Sequence, residues 1–525
     1  MSRMLKSAGA MGVATLVSRL LGMVREICYA RFMGDGWVAG AFMLAFMIPN
    51  LFRRLLGEGA LTQVFIPIFK AKEKKEGEVE MWRSANAVMS GLLVVSAVLL
   101  GVVLAGVSAV LAWGELGDRA RLMLELLRWM FPYMGLVCMA AVAMGILNAR
   151  GHFFVPALGP AILNVFLIAA VLLFAPMIEG GVEDKVFAVA VAVLVAGVVQ
   201  LLYQWPLMKE EGFCWRWTSP WKNETVREVG RKLAPAAIGA AAFQINVLAT
   251  QCLGFWAGDH VVASYTYAVR LMELPQGLFG VSMAVFLLPT LAGLSAEEKD
   301  GEFRATLGEG IRHLLFINGL MMWVLVLLAE PMVRLLFERG EFTDKSTLHV
   351  SFALVCLAPA LLSYSQVGLL VRAFNARGDV RTPMKISVFC LFVNLGLAMG
   401  LVASGWFGEE EVQGAFGVAN SLSAFLNWRL LARALGRRGL GPDRLDGGGW
   451  AAVLGSLCLA IAVGAGLRVM SGEWWGAGDG FWERLGLVFV PLAGMIGMAL
   501  AAGVFCGVPT ARQIWDLMSG RRAAE

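Results

Sequence analysis

Arginines interrupt the hydrophobic stretches at the start of this chain. Four of them fall within or directly beside the first two stretches: Arg19, Arg25, Arg53 and Arg54. A guanidinium keeps its charge at every physiological pH and binds phosphate oxygens through two parallel hydrogen bonds. In lipid such a group costs about 2.5–3.5 kcal/mol unless it faces a cavity, pairs with an acid or reaches the interface. The arginines therefore indicate a cationic cavity for an anionic ligand inside a membrane protein.

A similar arrangement recurs in the second half of the chain. Arg270 and Glu273 precede Pro275 in the middle of an apolar stretch, as Arg53 and Arg54 follow Pro49. Proline removes a backbone donor and disturbs a helix, so we expect Pro49 and Pro275 to act as hinges. Three acids lie within four residues of these arginines and are expected to balance their charge or gate the cavity: Glu26, Glu58 and Glu273. Purely structural ion pairing remains the alternative for each arginine.

The composition defines the class of protein that holds these residues. Of 525 residues, 58% are hydrophobic and 16% are charged, against about 45–50% and 25% in soluble domains. A membrane-spanning helix needs about 20 apolar residues, which predicts about fourteen spans and an all-α polytopic fold. The spans are expected at roughly 9–33, 37–56, 85–113, 122–147, 155–176, 186–207, 233–257, 261–291, 314–336, 348–371, 383–407, 412–435, 450–470 and 485–507.

Basic residues concentrate in alternate loops between the spans. The basic loops are 70–84, 209–232, 372–385 and 429–449, whereas 34–36, 113–121, 177–185, 257–260 and 408–411 are nearly free of them. The positive-inside rule then predicts that both termini are cytoplasmic. Loop 334–345 is an exception, because its three basic residues are balanced by three acids.

The chain also carries a weak internal repeat. Asn148-Ala-Arg-Gly151 recurs as Asn375-Ala-Arg-Gly378, and a proline follows each asparagine by eight residues. An even number of spans separates the copies, so the halves should be related by an axis along the membrane normal. The predicted organisation is an N-terminal lobe at 1–208, a cytoplasmic linker at 209–232, a C-terminal lobe at 233–436, two further helices within 450–507 and a cytoplasmic tail at 508–525.

No motif for catalysis or cofactor binding is present in the sequence. It contains no Gly-rich phosphate loop, paired loop carboxylates or zinc-protease motif, and its eight cysteines are scattered without metal-ligand spacing. We therefore expect no catalytic residues, no metal, no cofactor and no nucleic-acid partner. A membrane-embedded transferase and a non-transporting scaffold of the division machinery are rival classes, but neither explains the arginines.

Several of these segments resemble a known family. Stretches 18–25, 49–60, 65–67 and 270–275, together with both Asn-Ala-Arg-Gly segments, are similar to the MurJ (MviN) lipid II flippases of bacterial peptidoglycan synthesis. The resemblance implies the fold of the multidrug/oligosaccharidyl-lipid/polysaccharide exporter superfamily, with two six-helix lobes and two extra helices that form a groove for the lipid tail. It also implies a transporter of the inner membrane that uses alternating access, with a central cavity to which Arg19, Arg25, Arg53 and Arg270 correspond.

The implied partners are lipid II, which is an undecaprenyl-pyrophosphate-linked disaccharide-pentapeptide, membrane lipids, and the peptidoglycan-synthesis or division machinery. A flippase for another polyprenyl-linked oligosaccharide and a multidrug exporter of the same fold are the alternatives. Two positions depart from the family pattern, since this chain has Gly40 and Val269 where many members carry acids. The resemblance therefore implies that other acids of this chain balance the charges of the arginines.

The loop charges generate the first testable prediction. A cysteine introduced by Lys222→Cys should react with a membrane-impermeant thiol reagent only from the cytoplasmic side, because loop 209–232 is basic. A cysteine from Glu409→Cys in loop 408–411 is the matched control and should react only from the opposite side. Labelling of Lys222→Cys in intact cells would contradict the topology.

Overall fold

The fold is known from a computed structural model that describes residues 3–52, 61–221, 223–441, 447–475 and 480–519. Within these ranges the regular secondary structure is helical throughout, which confirms the all-α prediction. The chain divides into two compact units, unit 1 at Met1–Ala263 and unit 2 at Ser264–Glu525.

The described residues of unit 1 form eleven complete helices and the start of a twelfth. They are α1 (Arg3–Met33), α2 (Trp37–Phe52), α3 (Leu61–Glu76), α4 (Glu78–Trp113), α5 (Asp118–Met130), α6 (Tyr133–Ala149), α7 (Phe154–Ala157), α8 (Gly159–Ala169), α9 (Val182–Leu202), α10 (Trp205–Glu210), α11 (Glu224–Ala257) and the beginning of α12 (Val261–Pro275). A π-helical turn at Ala170–Phe174 and a 3₁₀ turn at Ala175–Met177 extend α8.

Unit 2 contains the remainder of α12 and ten further helices among the described residues. They are α13 (Ser282–Ala296), α14 (Asp300–Leu327), α15 (Ala329–Phe337), α16 (Asp344–Leu357), α17 (Pro359–Ala376), α18 (Arg381–Ala403), α19 (Gln413–Gly436), α20 (Gly447–Trp475), α21 (Phe481–Phe505) and α22 (Pro509–Met518).

The helices agree with the expected spans. In the described part of the chain, nine helical stretches are long and apolar enough to cross a membrane, or ten if the bent pair α16 and α17 is one span. The other four expected spans coincide with α1, α2, α11 and α19, which are also helical. The charges of Arg19 and Arg25 lower the hydropathy of α1. The chain is therefore a multi-pass membrane protein.

The two prolines that were predicted as hinges lie in different local structures. Pro49 is buried within α2, which continues past it to Phe52. Pro275 ends α12, and a π-helical segment follows at Gln276–Val281 before α13 begins. Proline has no backbone N–H and its ring collides with the carbonyl of the preceding turn. A wider π-helical turn relieves this collision.

Two helices were not expected from hydropathy. The apolar side chains of α3 pack in the core of unit 1, and its charged end is stabilised by the i,i+3 pair Lys70–Glu73 and the i,i+4 pair Lys72–Glu76. At the other end of the chain, α22 buries Thr510 and Ala511 and exposes Trp515. Both helices are too short and too polar to be recognised as spans.

The repeated Asn-Ala-Arg-Gly segment ends α6 and links four elements of unit 1. Arg150 pairs with Glu211 at 2.6 Å, Glu73 at 2.7 Å and Glu78 at 3.1 Å, and its guanidinium lies over the ring of Trp82. The hydrogen bonds that Glu211 accepts, first from Arg150 and then from His152, lower the pKa of its carboxyl group. Arg150 thus fastens the end of α6 to α3, to the first turn of α4 and to the segment after α10.

The second copy of the segment makes the corresponding contact in unit 2. Arg377 follows α17 and pairs with Asp300 in the first turn of α14, while its guanidinium lies 4.9 Å from the ring centroid of Phe303. The backbone ends in the same way in both units, because Gly151 and Gly378 have φ of 91° and 73°, a conformation that glycine adopts without strain. The repeat therefore preserves a structural contact.

The last two spans, α20 and α21, are held to α15 by ion pairs. Arg468 of α20 pairs with Glu330 at 3.0 Å, and Arg484 of α21 pairs with Glu338 at 3.0 Å. A Cβ atom at Gly464 of α20 would lie 2.3 Å from Cγ of Met495 of α21. Gly464 therefore lies at the interface of α20 and α21, where a side chain would collide with Met495.

The two arginine contacts generate the second prediction. Arg150→Ala should accelerate amide hydrogen exchange by roughly three- to tenfold in the first turn of α4, because several weak ion pairs act together there. Arg377→Ala should do the same in the first turn of α14, and neither variant should affect the other unit. Exchange measured by mass spectrometry checks this, with Arg83→Ala as the control, because Arg83 pairs only within α4 among the described residues. Equal acceleration in both units would contradict the assignment.

Candidate functional site

The first group of predicted site residues lies on α1. Ser18, Gly22 and Arg25 share one face, since they are four and three residues apart, and that face packs on Asn164 of α8. Nη1 of Arg25 donates to Oδ1 of Asn164 at 2.9 Å, and Nδ2 of Asn164 donates to the carbonyl oxygen of Ser18 at 3.1 Å. The amide of Asn164 therefore connects the side chain of Arg25 with the backbone of Ser18, about two turns earlier in α1.

Arg25 is also neutralised by its neighbour in sequence. Nη2 of Arg25 forms an ion pair with Oε1 of Glu26, and the guanidinium lies 5.5 Å from the ring centroid of Tyr29. The side chain of Arg25 is 13% exposed and that of Glu26 only 4%. Removing either partner of such a buried pair leaves an uncompensated charge, which is strongly unfavourable. The structure therefore contains the ion pair that the sequence analysis gave as the alternative role of Arg25.

Arg19 differs from Arg25. It lies on the adjacent face of α1 and its side chain is exposed. Within the described ranges it has neither a hydrogen-bond partner nor an ion-pair partner. Its exposed guanidinium is accessible to a ligand.

The second group of predicted residues lies on α12 in unit 2. Nη1 of Arg270 and Oε2 of Glu273 are 2.8 Å apart, and the side chains are 35% and 48% exposed. Beside them, Nδ2 of Asn420 donates to the hydroxyl oxygen of Tyr265 at 2.6 Å, and the hydroxyl of Tyr364 donates to Oδ1 of Asn420. These bonds join α12 to α19 and α17, so the arginine stands on a helix that is fixed by side-chain hydrogen bonds.

The π-helical segment after Pro275 is packed closely on α17. A Cβ atom at Gly280 would lie 2.7 Å from Oγ of Ser365, so only glycine permits this approach. The segment therefore cannot shift toward α17 and holds the end of α12 in place.

Three predicted site residues lie outside the described residues: Arg53, Arg54 and Glu58. Of the positions that depart from the family pattern, Gly40 is buried in α2 and Val269 is half-buried in α12. Sequence reasoning missed Asn164 because it lies 139 residues from Arg25. An asparagine in an apolar stretch was the only available signal, and it did not identify the partner.

The contacts of Asn164 generate the third prediction. Asn164→Ala removes an acceptor of Arg25 and the donor to Ser18, so it should lower the free energy of unfolding by about 1–3 kcal/mol. Asn164→Asp should lower it at least as much, because the carboxylate accepts from Arg25 but adds a second buried negative charge beside Glu26 and faces the carbonyl oxygen of Ser18. The midpoint of thermal unfolding of the purified protein measures both, with the exposed Asn375→Ala as control. An unchanged midpoint in Asn164→Ala would show that the bond contributes nothing.

Comparison with protein families gives a match over most of the chain. The model of the family described as "Lipid II flippase MurJ" matches residues 29–504. The chain is 32% identical over 451 residues to the probable lipid II flippase MurJ of Vibrio cholerae, covering 83% of this chain and 84% of the relative. It is also 32% identical over 425 residues to the lipid II flippase MurJ of Burkholderia cenocepacia, covering 79% and 82%.

Solved structures agree with this match at the level of the fold. A lipid II flippase MurJ in an inward closed conformation superposes with a TM-score of 0.74 at 21% identity, covering 93% of this chain and 97% of the other. An inward-facing multidrug resistance MATE transporter of the MOP superfamily gives a TM-score of 0.65 at 19% identity, covering 80% and 96%. The predicted exporter fold is therefore confirmed.

Proposed function

The chain belongs to the lipid II flippase MurJ family, and we propose that it moves lipid II from the inner to the outer leaflet of the cytoplasmic membrane. The observation that carries the proposal is the family match over residues 29–504. Flippases transport their substrate without altering it, so this chain is a transporter and not an enzyme. The peptidoglycan-synthesis or division machinery, which consumes lipid II, is proposed as a functional partner.

The proposed ligand contacts are those of the arginines with the pyrophosphate of lipid II. Arg19 offers an exposed guanidinium in unit 1, and Arg270 in unit 2 is accessible despite its pair with Glu273. Arg25 is proposed to bind from a fixed position set by Asn164 and Glu26. The remaining proposed contacts are Arg53 and Arg54, with Glu58 balancing charge. Hydrogen bonds from a guanidinium to phosphate contribute about 1.5–3 kcal/mol each.

The proposed direction of transport follows from charge and topology. A pyrophosphate diester carries about two negative charges, and outward movement in an inside-negative membrane gains roughly 2.3 kcal/mol per charge per 100 mV. The proposal places both termini in the cytoplasm. It is supported by Arg150, which joins acids of the two basic loops 70–84 and 209–232, and by Arg119, which joins the two nearly neutral loops 113–121 and 257–260.

The proposed domain organisation has two lobes, 1–208 and 233–436, and α20 and α21 contribute a groove for the lipid tail. The support is that α20 and α21 pack mainly on each other and are attached to α15 by the two ion pairs of Arg468 and Arg484. An attached pair of helices provides an apolar surface outside the repeat. Hinge roles at Pro49 and Pro275 belong to the same proposal.

The decisive experiment is complementation of a bacterial strain that is depleted of its lipid II flippase, combined with an assay that measures lipid II in each leaflet. Restored growth together with lipid II in the outer leaflet is expected. Export of a different polyprenyl-linked oligosaccharide, or of a cationic drug without lipid II, would replace the proposal by one of its two alternatives. A variant with equal membrane abundance but without transport provides the baseline.

The arginines generate the fourth prediction. Arg19→Ala and Arg270→Ala should each weaken lipid II binding by about tenfold or more, because each loses charge-assisted hydrogen bonds. Arg→Lys at either position should restore binding only in part, since an ammonium keeps the charge but not the bidentate geometry. Binding by purified variants and complementation at equal abundance measure the effect, with the exposed Arg83→Ala as control. Wild-type behaviour of both alanine variants would remove these residues from the site.

A further inference from the structure

Arg119, in the first turn of α5, is another arginine with several partners. Nη1 of Arg119 is 2.7 Å from Oδ1 of Asp259, and Nη2 donates to the carbonyl oxygens of Phe255 and, at 3.2 Å, of Gly258. The guanidinium also lies 5.0 Å from the ring centroid of Phe255. One side chain thus contacts the last turn of α11, the residue that follows it, and the turn that leads into α12.

The acceptors explain why an arginine suits this position. The last carbonyl groups of a helix have no partner within the helix, and they form the negative end of its dipole. Arg119 supplies donors to two such carbonyls and places its positive charge there. Its planar fork satisfies the carbonyls and the carboxylate together, which an ammonium group cannot do.

The turn between α11 and α12 is held on a second side by α2. A Cβ atom at Gly40 would lie 3.5 Å from Cβ of Val262 and 3.6 Å from the carbonyl oxygen of Asp259. Both distances are ordinary van der Waals contacts, so α2 packs directly on the turn at this position. An acidic side chain in place of Gly40 would bring its carboxylate toward the carbonyl oxygen of Asp259. Gly40 and Asp259 therefore belong to one packing arrangement.

The Arg119 contact is also accessible to water. The side chains of Arg119 and Asp259 are 33% and 60% exposed, whereas the Arg25–Glu26 pair is almost fully buried. An exposed pair is stabilised only weakly and separates without leaving a buried charge. These contacts can form and break repeatedly, as a transport cycle requires.

We propose that Arg119 is a positioning residue that holds the α11–α12 turn against α2 and α5, and that release of this contact lets the turn move when this end of unit 1 opens during transport. The role in transport rests on the proposed function, whereas the restraint of the turn by Arg119 is independent of it. The contact joins the turn that follows α11 to α5, and the same turn packs on α2. Arg119 thereby restrains residues 255–259 within unit 1.

The test compares variants of the full-length protein in lipid nanodiscs by hydrogen exchange, without lipid II. Arg119→Ala should accelerate exchange of the amides at 255–262 by about five- to tenfold, since charged donors contribute more than neutral ones. Arg119→Lys should give an intermediate value, because it keeps the Asp259 pair but not all carbonyl contacts. The exposed Arg121→Ala, two residues along α5, is the control and should leave exchange unchanged.

A second measurement separates release of the turn from loss of stability. A cysteine introduced by Gly40→Cys should react with a charged thiol reagent several-fold faster when combined with Arg119→Ala or with Asp259→Asn. The midpoint of thermal unfolding should stay close to that of the parent. Unchanged exchange and labelling in both variants, or acceleration spread evenly over unit 1, would overturn the proposal. Because neither readout uses lipid II, failure here would leave the flippase proposal untouched, and the reverse also holds.

Discussion

An arginine inside an apolar layer cannot lose its charge, so it needs an acid, other acceptors, water or a ligand around it. Two arginines of this chain have clustered partners. Arg25 has Glu26, Asn164 and the ring of Tyr29, and Arg150 has three carboxylates. Each cluster joins segments that are far apart in sequence, so the need to satisfy a guanidinium also determines which helices are held together.

The same constraint explains the loop that did not follow the charge rule. Loop 334–345 carries acids as well as bases, and Glu338 receives both Arg334 of its own helix and Arg484 of α21. One acid of the loop, Glu338, therefore binds an arginine of the last span, and another, Asp344, pairs with Arg334 of the loop itself. Charge rules for topology treat each loop alone and cannot recognise acids that serve a distant helix.

Much of the fold was predictable because hydropathy is a local property. Within the described residues every expected span overlaps a helix, nine or ten helical stretches are long and apolar enough to cross a membrane, and the pair Arg270–Glu273 follows from its i,i+3 spacing. Contacts over long sequence separation were not predictable. Asn164 and the Arg119–Asp259 pair depend on how helices pack, and a single sequence shows only that a polar residue is present. The helix α3 was missed for another reason, since its charged end is typical of a loop.

Exposure separates the arginine pairs into two classes with different consequences for a transporter. The Arg25–Glu26 pair is buried, so a ligand that approaches Arg25 must share the guanidinium with Glu26. The Arg270–Glu273 pair is 35% and 48% exposed, so water can solvate Glu273 when a phosphate takes its place. In the proposed role, Arg25 therefore contributes a fixed positive edge, whereas Arg270 can exchange a carboxylate for a phosphate at little cost. In the proposed role, a pyrophosphate that Arg270 holds by this exchange is released again when Glu273 returns to the arginine, and transport requires such a release.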